Sequence, residues 1–445
     1  MIKNILEIFF TTLLGKIFGF FKIVLLIQFF GTNALTDSVI IIISIYWFWS
    51  NIIVYSLFSV SLIPKLSKEN DEKKEIFITL KTLKAVNFIS LIGFVLFLVF
   101  NIHIVKLFAP SDDKLFLEYS KYFFLLLTPL VFLIPFTEIF TILNQYKKKM
   151  KTASINLTIW NLLQLISIVI VFVFFKNSFY LIYFLAYGTV IGYIVTSIIQ
   201  IKASNFFKYF KLKELIQISF NETASNLSAN YIYFLAILFS QLNLYIDNFF
   251  ISSLDVGTIS KYNIIIKVPE LFQSLLISAL SVVFFNKIVD DRSNVKRLFV
   301  RLSLYMIPMV FITIVFTMLY GVEFLYLIYN QDSLNNLEED FIRNILYIIV
   351  VNIFFTIGIS LLIKVYVTNN GSKVLLYSSI INVIINIIAN YLLINVYGIY
   401  GIALATLIST YVLYSVLISK FFNFNKFKNS LLFLGLVLII IICKN

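Results

Sequence analysis

Three lysines, Lys16, Lys22 and Lys267, stand inside long apolar stretches of this chain. An ammonium group in lipid costs several kcal/mol, so each should face a cavity or a polar partner. Ammonium groups engage phosphate oxygens as point charges, and two lysines from one helix with a third from elsewhere suit a pyrophosphate. On an ideal helix Lys16 and Lys22 lie about 120° apart, within reach of one wide cavity. Gly15 and Gly19 share the broad face of Lys22 and would let another helix approach closely. Around Lys267, the residues Glu270, Ser274, Ser278 and Ser281 recur at three- and four-residue spacing and form one polar face. Asp37 and Glu270 could hold the lysines when no anion is bound.

Other polar groups form weaker stripes. Asp37, Ser44, Asn51 and Tyr55 share a face of one apolar run, as do Asn382, Asn386 and Asn390 of another, and Asn156 pairs with Gln164 in a third. Glu138 is a lone carboxylate in an apolar run near Pro129 and Pro135. Interhelical hydrogen bonding, worth about 0.6 kcal/mol per contact on average in membranes, is an equally good reading of the asparagine stripes. With one cysteine, Cys443, and one histidine, His103, the chain offers no disulfide framework, and neither a metal site nor catalytic residues are expected.

The elements that position these residues follow from composition. At 60% hydrophobic and 13% charged over 445 residues, the chain departs far from a water-soluble protein, whose charged fraction is about a quarter. A spanning helix needs roughly 20 apolar residues. Thirteen runs qualify as candidates, at 5–30, 36–63, 76–100, 119–143, 153–175, 179–201, 228–254, 260–289, 302–325, 342–367, 374–395, 399–419 and 430–442. A cytoplasmic N-terminus places most of the 35 Lys and Arg residues in inside loops, as in Lys147-Lys148-Lys149 and Lys296-Arg297. The net charge of +13 then needs no nucleic-acid partner. The first run is too long for a cleavable signal peptide.

An offset of 222 residues sets Leu62-Ile63-Pro64-Lys65 on Phe284-Phe285-Asn286-Lys287 and repeats the loop pattern in both halves. The expected fold is therefore an all-α polytopic membrane protein of two pseudo-symmetric six-helix bundles, 1–201 and 215–420. A cytoplasmic linker, 202–214, joins them, and an extra C-terminal helix occupies 421–445. The linker mixes lysines with aromatic residues, as a segment lying on an anionic membrane surface would, and a plain positive-inside loop is an equally good reading.

The stretch Lys16-Ile-Phe-Gly-Phe-Phe-Lys22, then Phe30-Gly31-Thr-Asn-Ala-Leu-Thr36-Asp37 and Leu62-Ile63-Pro64-Lys65-Leu66, resembles the N-terminal pattern of the MurJ/MviN lipid II flippases, within the multidrug/oligosaccharidyl-lipid/polysaccharide (MOP) exporter superfamily. Gln241-Leu-Asn-Leu-Tyr-Ile-Asp247-Asn-Phe-Phe-Ile-Ser252 is similar to that family's seventh helix, and Ile142-Leu143-Asn144 to the end of its fourth. The resemblance implies a MOP/MATE-like alternating-access transporter, not an enzyme. It would turn an undecaprenyl-pyrophosphate-linked saccharide from the inner to the outer leaflet of the bacterial inner membrane.

It also implies essential cavity charges, which fall on Lys16, Lys22, Asp37 and Lys267, with Glu270 beside them. Asn51, Glu138, Gln241, Asn382 and Asn386 are secondary cavity candidates. Lysine stands where the family's first helix usually has arginine, which keeps charge but loses bidentate geometry. Trp49-Ser50-Asn51 replaces a usual second-helix arginine, and one apolar run follows the twelve where two are common. The partners expected are the lipid-linked saccharide and membrane lipid, with a functional monomer. No cofactor is expected, and the drive would come from membrane potential or a monovalent cation. The alternatives are an O-antigen or capsule repeat-unit flippase and, behind it, a cation-coupled drug exporter. A polytopic saccharide polymerase or glycosyltransferase lacks the long loops it would need.

Overall fold

The computed structural model describes residues 2–52, 62, 66, 71–175, 178–209, 231–290, 295–329, 339–369 and 371–422. Outside these residues lie Tyr55, the end of the expected linker at 210–214, the start of the second expected bundle at 215–230, and the apolar run 430–442. Among the described residues the chain is helical, with no strand. By contact density it divides into two compact units, Met1–Gln241 and Leu242–Asn445.

In the first unit, α1 (Ile2–Phe30) stops where Gly31 takes a left-handed conformation, φ +76°. Such a backbone favours glycine. Asn33 then starts α2 (Ala34–Ser50). Its side-chain oxygen accepts from the Leu35 and Thr36 N–H groups, while the Thr36 hydroxyl accepts from the Asn33 N–H, closing a capping box. The Gly-Thr-Asn sequence between the helices is thus a stop signal followed by a start signal.

Next come α3 (Glu72–Val99), α4 (Asn101–Phe108), α5 (Lys114–Leu127) and α6 (Leu130–Tyr146). Asp71 caps α3 and Asp113 caps α5 through backbone N–H groups of the first turn. The chain bends by 47° between α5 and α6, at Pro129. At the bend Thr128 N–H bonds Leu125 O, which leaves the Phe124 carbonyl short of its helical donor, and α2 supplies one: Tyr46 Oη donates to Phe124 O at 2.8 Å.

The unit is completed by α7 (Met150–Ser154), α8 (Asn156–Ile170, continued as a π turn over Val171–Phe175), α9 (Ser178–Ser204) and α10 (Phe206–Tyr209). α8 packs against α1 and α9, and α9 also packs against α6. At the C-terminal end of α9, Lys147 donates to Ser204 O at 3.2 Å and Lys149 to Ala203 O. These are the last carbonyls of the helix, where a cation also meets the negative end of the helix dipole.

The second unit holds the end of α11 (Tyr231–Ile251) with α12 (Thr258–Asp290), α13 (Val295–Ile328), α14 (Glu339–Thr368) and α15 (Ser372–Phe422). At about 1.5 Å per residue, the 51 residues of α15 far exceed the roughly 30 Å hydrocarbon core. Gly398 resolves this: its φ/ψ of 55°/−131° is not helical and breaks α15 in two. The two parts correspond to the expected runs 374–395 and 399–419.

Seven described helices are long and apolar enough to cross a membrane, and up to nine if each bent pair is one span. Their outward faces are apolar: Val99, Leu107, Phe174, Leu327 and Val396 are each more than 60% exposed. Such surface is stable only against lipid.

Candidate functional site

The site in the first unit is built by the approach of α8 to α1. Gly15 and Gly19 admit it, since a Cβ on Gly15 would lie 3.0 Å from the Thr158 nitrogen and one on Gly19 would lie 2.9 Å from Asn161 Nδ2. With the helices this close, Thr158 Oγ1 donates to Thr11 O at 2.8 Å and Asn161 Nδ2 to Gly15 O at 2.8 Å. The small-residue face read from the sequence is therefore used for packing against α8.

Lys22 lies on this seam, 9% exposed. Its Nζ donates to Asn161 Oδ1 at 3.1 Å and to Gln164 Oε1 at 2.7 Å. Gln164 Nε2 in turn donates to Thr189 Oγ1 on α9 at 2.8 Å. One α8 turn away, Trp160 stacks on Tyr193 at 4.1 Å and bonds Thr196, while Trp47 of α2 meets the Trp160 ring edge-on. Together Trp47, Trp160, Asn161, Gln164, Thr189 and Tyr193 line much of a small, partly open recess of about 20 Å³. Its lining mixes aromatic and aliphatic side chains with the amides that bind Lys22.

Lys16 is half-buried on the same helix, six residues before Lys22. Asp37 is buried in the first turn of α2, where a carboxylate also complements the helix dipole. Asn51, just past α2, donates to Gln241 Oε1 at 2.7 Å, which joins two of the secondary candidates. Glu138 is half-buried on α6, one turn beyond Pro135.

In the second unit Lys267 and Glu270 form an ion pair at 2.6 Å on α12, flanking Pro269. This is the pairing the spacing suggested. The side chains of Ser278 and Ser281 lie outside the described residues. Asn382 is buried, and its Oδ1 has no hydrogen-bond partner among the described residues.

Asn386 belongs to a cluster whose centre the sequence reading passed over. Asp247 of α11 accepts at Oδ1 from Asn386 at 3.1 Å and Asn390 at 3.0 Å, and at Oδ2 from Thr406 at 2.7 Å. Asn390 also donates to Asn386 Oδ1 at 3.1 Å. The break at Gly398 allows this, because Asn386 and Asn390 precede it and Thr406 follows it. A signal was present, since Asp247 is the one acidic residue of the apolar run 228–254. Asn161 was missed likewise, although it stands three residues before Gln164, on the same helix face.

Two kinds of chemistry are thus available. In the first unit a buried ammonium donates to two amide oxygens of residues that line a small recess. In the second a carboxylate is gripped by amide and hydroxyl groups, and the buried Asn390 Oδ1 has no donor among the described residues. Among the described residues no group of three or more His, Cys, Asp or Glu could hold a metal ion.

Over residues 26–444 the chain matches the family model described as lipid II flippase MurJ. Lys16 and Lys22 precede the matched segment. No curated protein matches the sequence. Among solved structures, the inward closed conformation of lipid II flippase MurJ superposes with a TM-score of 0.79 at 19% identity, covering 100% of this chain and 98% of that one. An inward-facing multidrug resistance MATE family transporter of the MOP superfamily gives 0.67 at 12% identity, covering 96% and 95%. A MOP superfamily transporter from Pyrococcus furiosus, whose binding pocket is described as having reverse polarity, gives 0.66 at 14% identity, covering 100% and 97%. At these identities the structures establish a shared fold.

Proposed function

Because the chain belongs to the lipid II flippase MurJ family, a family of membrane transporters and not of catalysts, we propose that it carries lipid II, or a closely similar undecaprenyl-pyrophosphate-linked saccharide. The movement is from the inner to the outer leaflet of the bacterial cytoplasmic membrane. The observation that carries this reading is Lys22, a buried cation held by two amide side chains, Asn161 and Gln164, that also line a small recess. A buried ammonium in a membrane is costly, and an anionic head group is the guest that repays it. Lys16 on the same helix would add to the positive field in the first unit, with Asp37 as a counter-charge; in the second unit Lys267 would offer a cation of its own, balanced by Glu270 when no lipid is bound. Asn51, Gln241 and Glu138 in the first unit, and Asn382 in the second, would serve as secondary polar groups.

The Asp247 cluster supports a second component, coupling to a monovalent cation. Its carboxylate, the Thr406 hydroxyl and Asn390 Oδ1 are hard oxygen ligands of the kind such ions take. The basic loops favour an N-terminus in the cytoplasm, and the chain would act as a monomer that alternates access between the two leaflets.

Complementation tests the substrate. Expressed in a bacterium depleted of its own lipid II flippase, the chain should restore growth, and its Lys22→Ala variant should not, at equal membrane abundance. Rescue of an O-antigen flippase mutant alone would reassign it to surface polysaccharide export. Rescue of neither strain, with the protein present in the membrane, would overturn the lipid-linked substrate.

A further inference from the structure

Two amide acceptors of Lys22, Asn161 and Gln164, are themselves held in place. An amide side chain can turn either its oxygen or its NH2 toward a neighbour. Asn161 spends Nδ2 on the Gly15 carbonyl at 2.8 Å. Gln164 spends Nε2 on Thr189 Oγ1 at 2.8 Å, and the Thr189 hydroxyl hydrogen is already given to Leu185 O at 2.6 Å. Thr189 therefore faces Gln164 as an acceptor, and Gln164 must turn its NH2 toward it. Each amide is left with its oxygen pointing at Lys22.

Resting on the reading that Lys22 meets the anionic head group, we propose that Asn161 and Gln164 are positioning residues: with Thr189 and the Gly15 carbonyl behind them, they fix where the Lys22 ammonium presents its charge to that head group. Neutral acceptors suit this role. An amide oxygen orients an ammonium group without cancelling its charge, whereas a carboxylate in the same place would compete with phosphate oxygens for it. The first-helix glycines are part of the same device, because a side chain at Gly19 would meet the Asn161 amide.

The test uses the purified full chain in proteoliposomes, with fluorescent lipid II as the probe and initial flipping rate measured against lipid II mole fraction. Lys22→Ala should raise the half-saturating fraction. Gln164→Leu, which removes a hydrogen bond to a charged group, should raise it by about tenfold. Gln164→Glu keeps the shape and the acceptor but adds a competing charge, and it should raise the half-saturating fraction as well. Thr189→Val, nearly isosteric, should raise it by roughly threefold through the loss of amide orientation. In a Lys22→Ala background the same changes should add less than about twofold, because they act through Lys22.

Losses of equal size with and without Lys22 would make Asn161 and Gln164 structural residues only and overturn the proposal. So would wild-type behaviour of both Gln164→Glu and Thr189→Val. An unchanged half-saturating fraction in Lys22→Ala, or a wild-type chain that does not flip lipid II, would instead overturn the underlying functional reading, and the proposal with it.

Discussion

Trp49 donates its indole N–H to the carbonyl of Val131 at 3.4 Å, and that carbonyl is the one Pro135 deprives of its helical partner. A proline inside a helix lacks the N–H that would bond the carbonyl four residues earlier. The donor comes from a different helix, so the carbonyl that Pro135 frees on α6 ties that helix to the end of α2. Gly93 of α3 makes room, since a Cβ there would lie 2.1 Å from the Trp49 ring.

Trp49→Phe should therefore leave a carbonyl unsatisfied and destabilise the fold by about 1–3 kcal/mol. Thermal unfolding in detergent would show this as a lower midpoint, and Gly93→Ala should lower it too by displacing the ring. A Trp49→Phe midpoint equal to wild type would mean that the indole does not close the gap.

Asp247→Asn preserves the size of the side chain but removes the charge gripped by Asn386, Asn390 and Thr406. If that carboxylate couples transport to a monovalent cation, flipping by the wild-type chain should fall when sodium and potassium are replaced by choline. The Asp247→Asn variant should be slow in every medium. A wild-type rate that ignores the cation would remove ion coupling from the mechanism.

Lys267 and Glu270 are partly exposed, at 27% and 46%. A pair of this kind on one helix contributes about 0.5 kcal/mol or less. Glu270→Gln and Lys267→Ala should thus leave the unfolding midpoint nearly unchanged, while Lys267→Ala reduces transport at equal expression. Loss of folding in either variant would show the pair to be structural.

Gln200 offers the opposite contrast. It is fully buried, donates to Thr152 O and Asn156 Oδ1, and accepts from Asn144 at 2.7 Å. Gln200→Leu leaves several buried polar atoms unpaired and should cost about 2 kcal/mol or more. The protein that remains folded should keep the wild-type half-saturating lipid fraction, unlike Gln164→Leu, although both substitutions remove a buried glutamine.

Much of this was legible in the sequence because lipid imposes one simple rule. Backbone polar groups in a membrane must bond internally, so apolar runs of spanning length become helices. Gly31 and Asn33 mark a helix boundary for local reasons of φ angle and capping, and the structure places the boundary there. Pro129 and Gly398 likewise fall at a bend and a break. Lys22 and Lys267 stood out because a charge in an apolar run is conspicuous, and the Lys267–Glu270 pair followed from helical spacing alone.

Partners on other helices were not legible. The sequence shows Asn161, Gln164 and Thr189 as ordinary polar residues, and nothing local ties Gln164 to Lys22, 142 positions away. Asp247 likewise meets Asn390 from 143 residues away and Thr406 from 159. Periodicity fixes which face of a helix a residue occupies, because the 3.6-residue turn is a property of the backbone. Which face of which neighbour it meets depends on tertiary packing: on glycines that admit a close approach, on prolines that free a carbonyl, and on the breaks that turn a distant helix back. Sequence alone therefore determined the class of protein, its helices and the presence of buried charge. Only the folded chain decided that Lys22 is held by amides and that Asp247 is the centre of the second polar cluster.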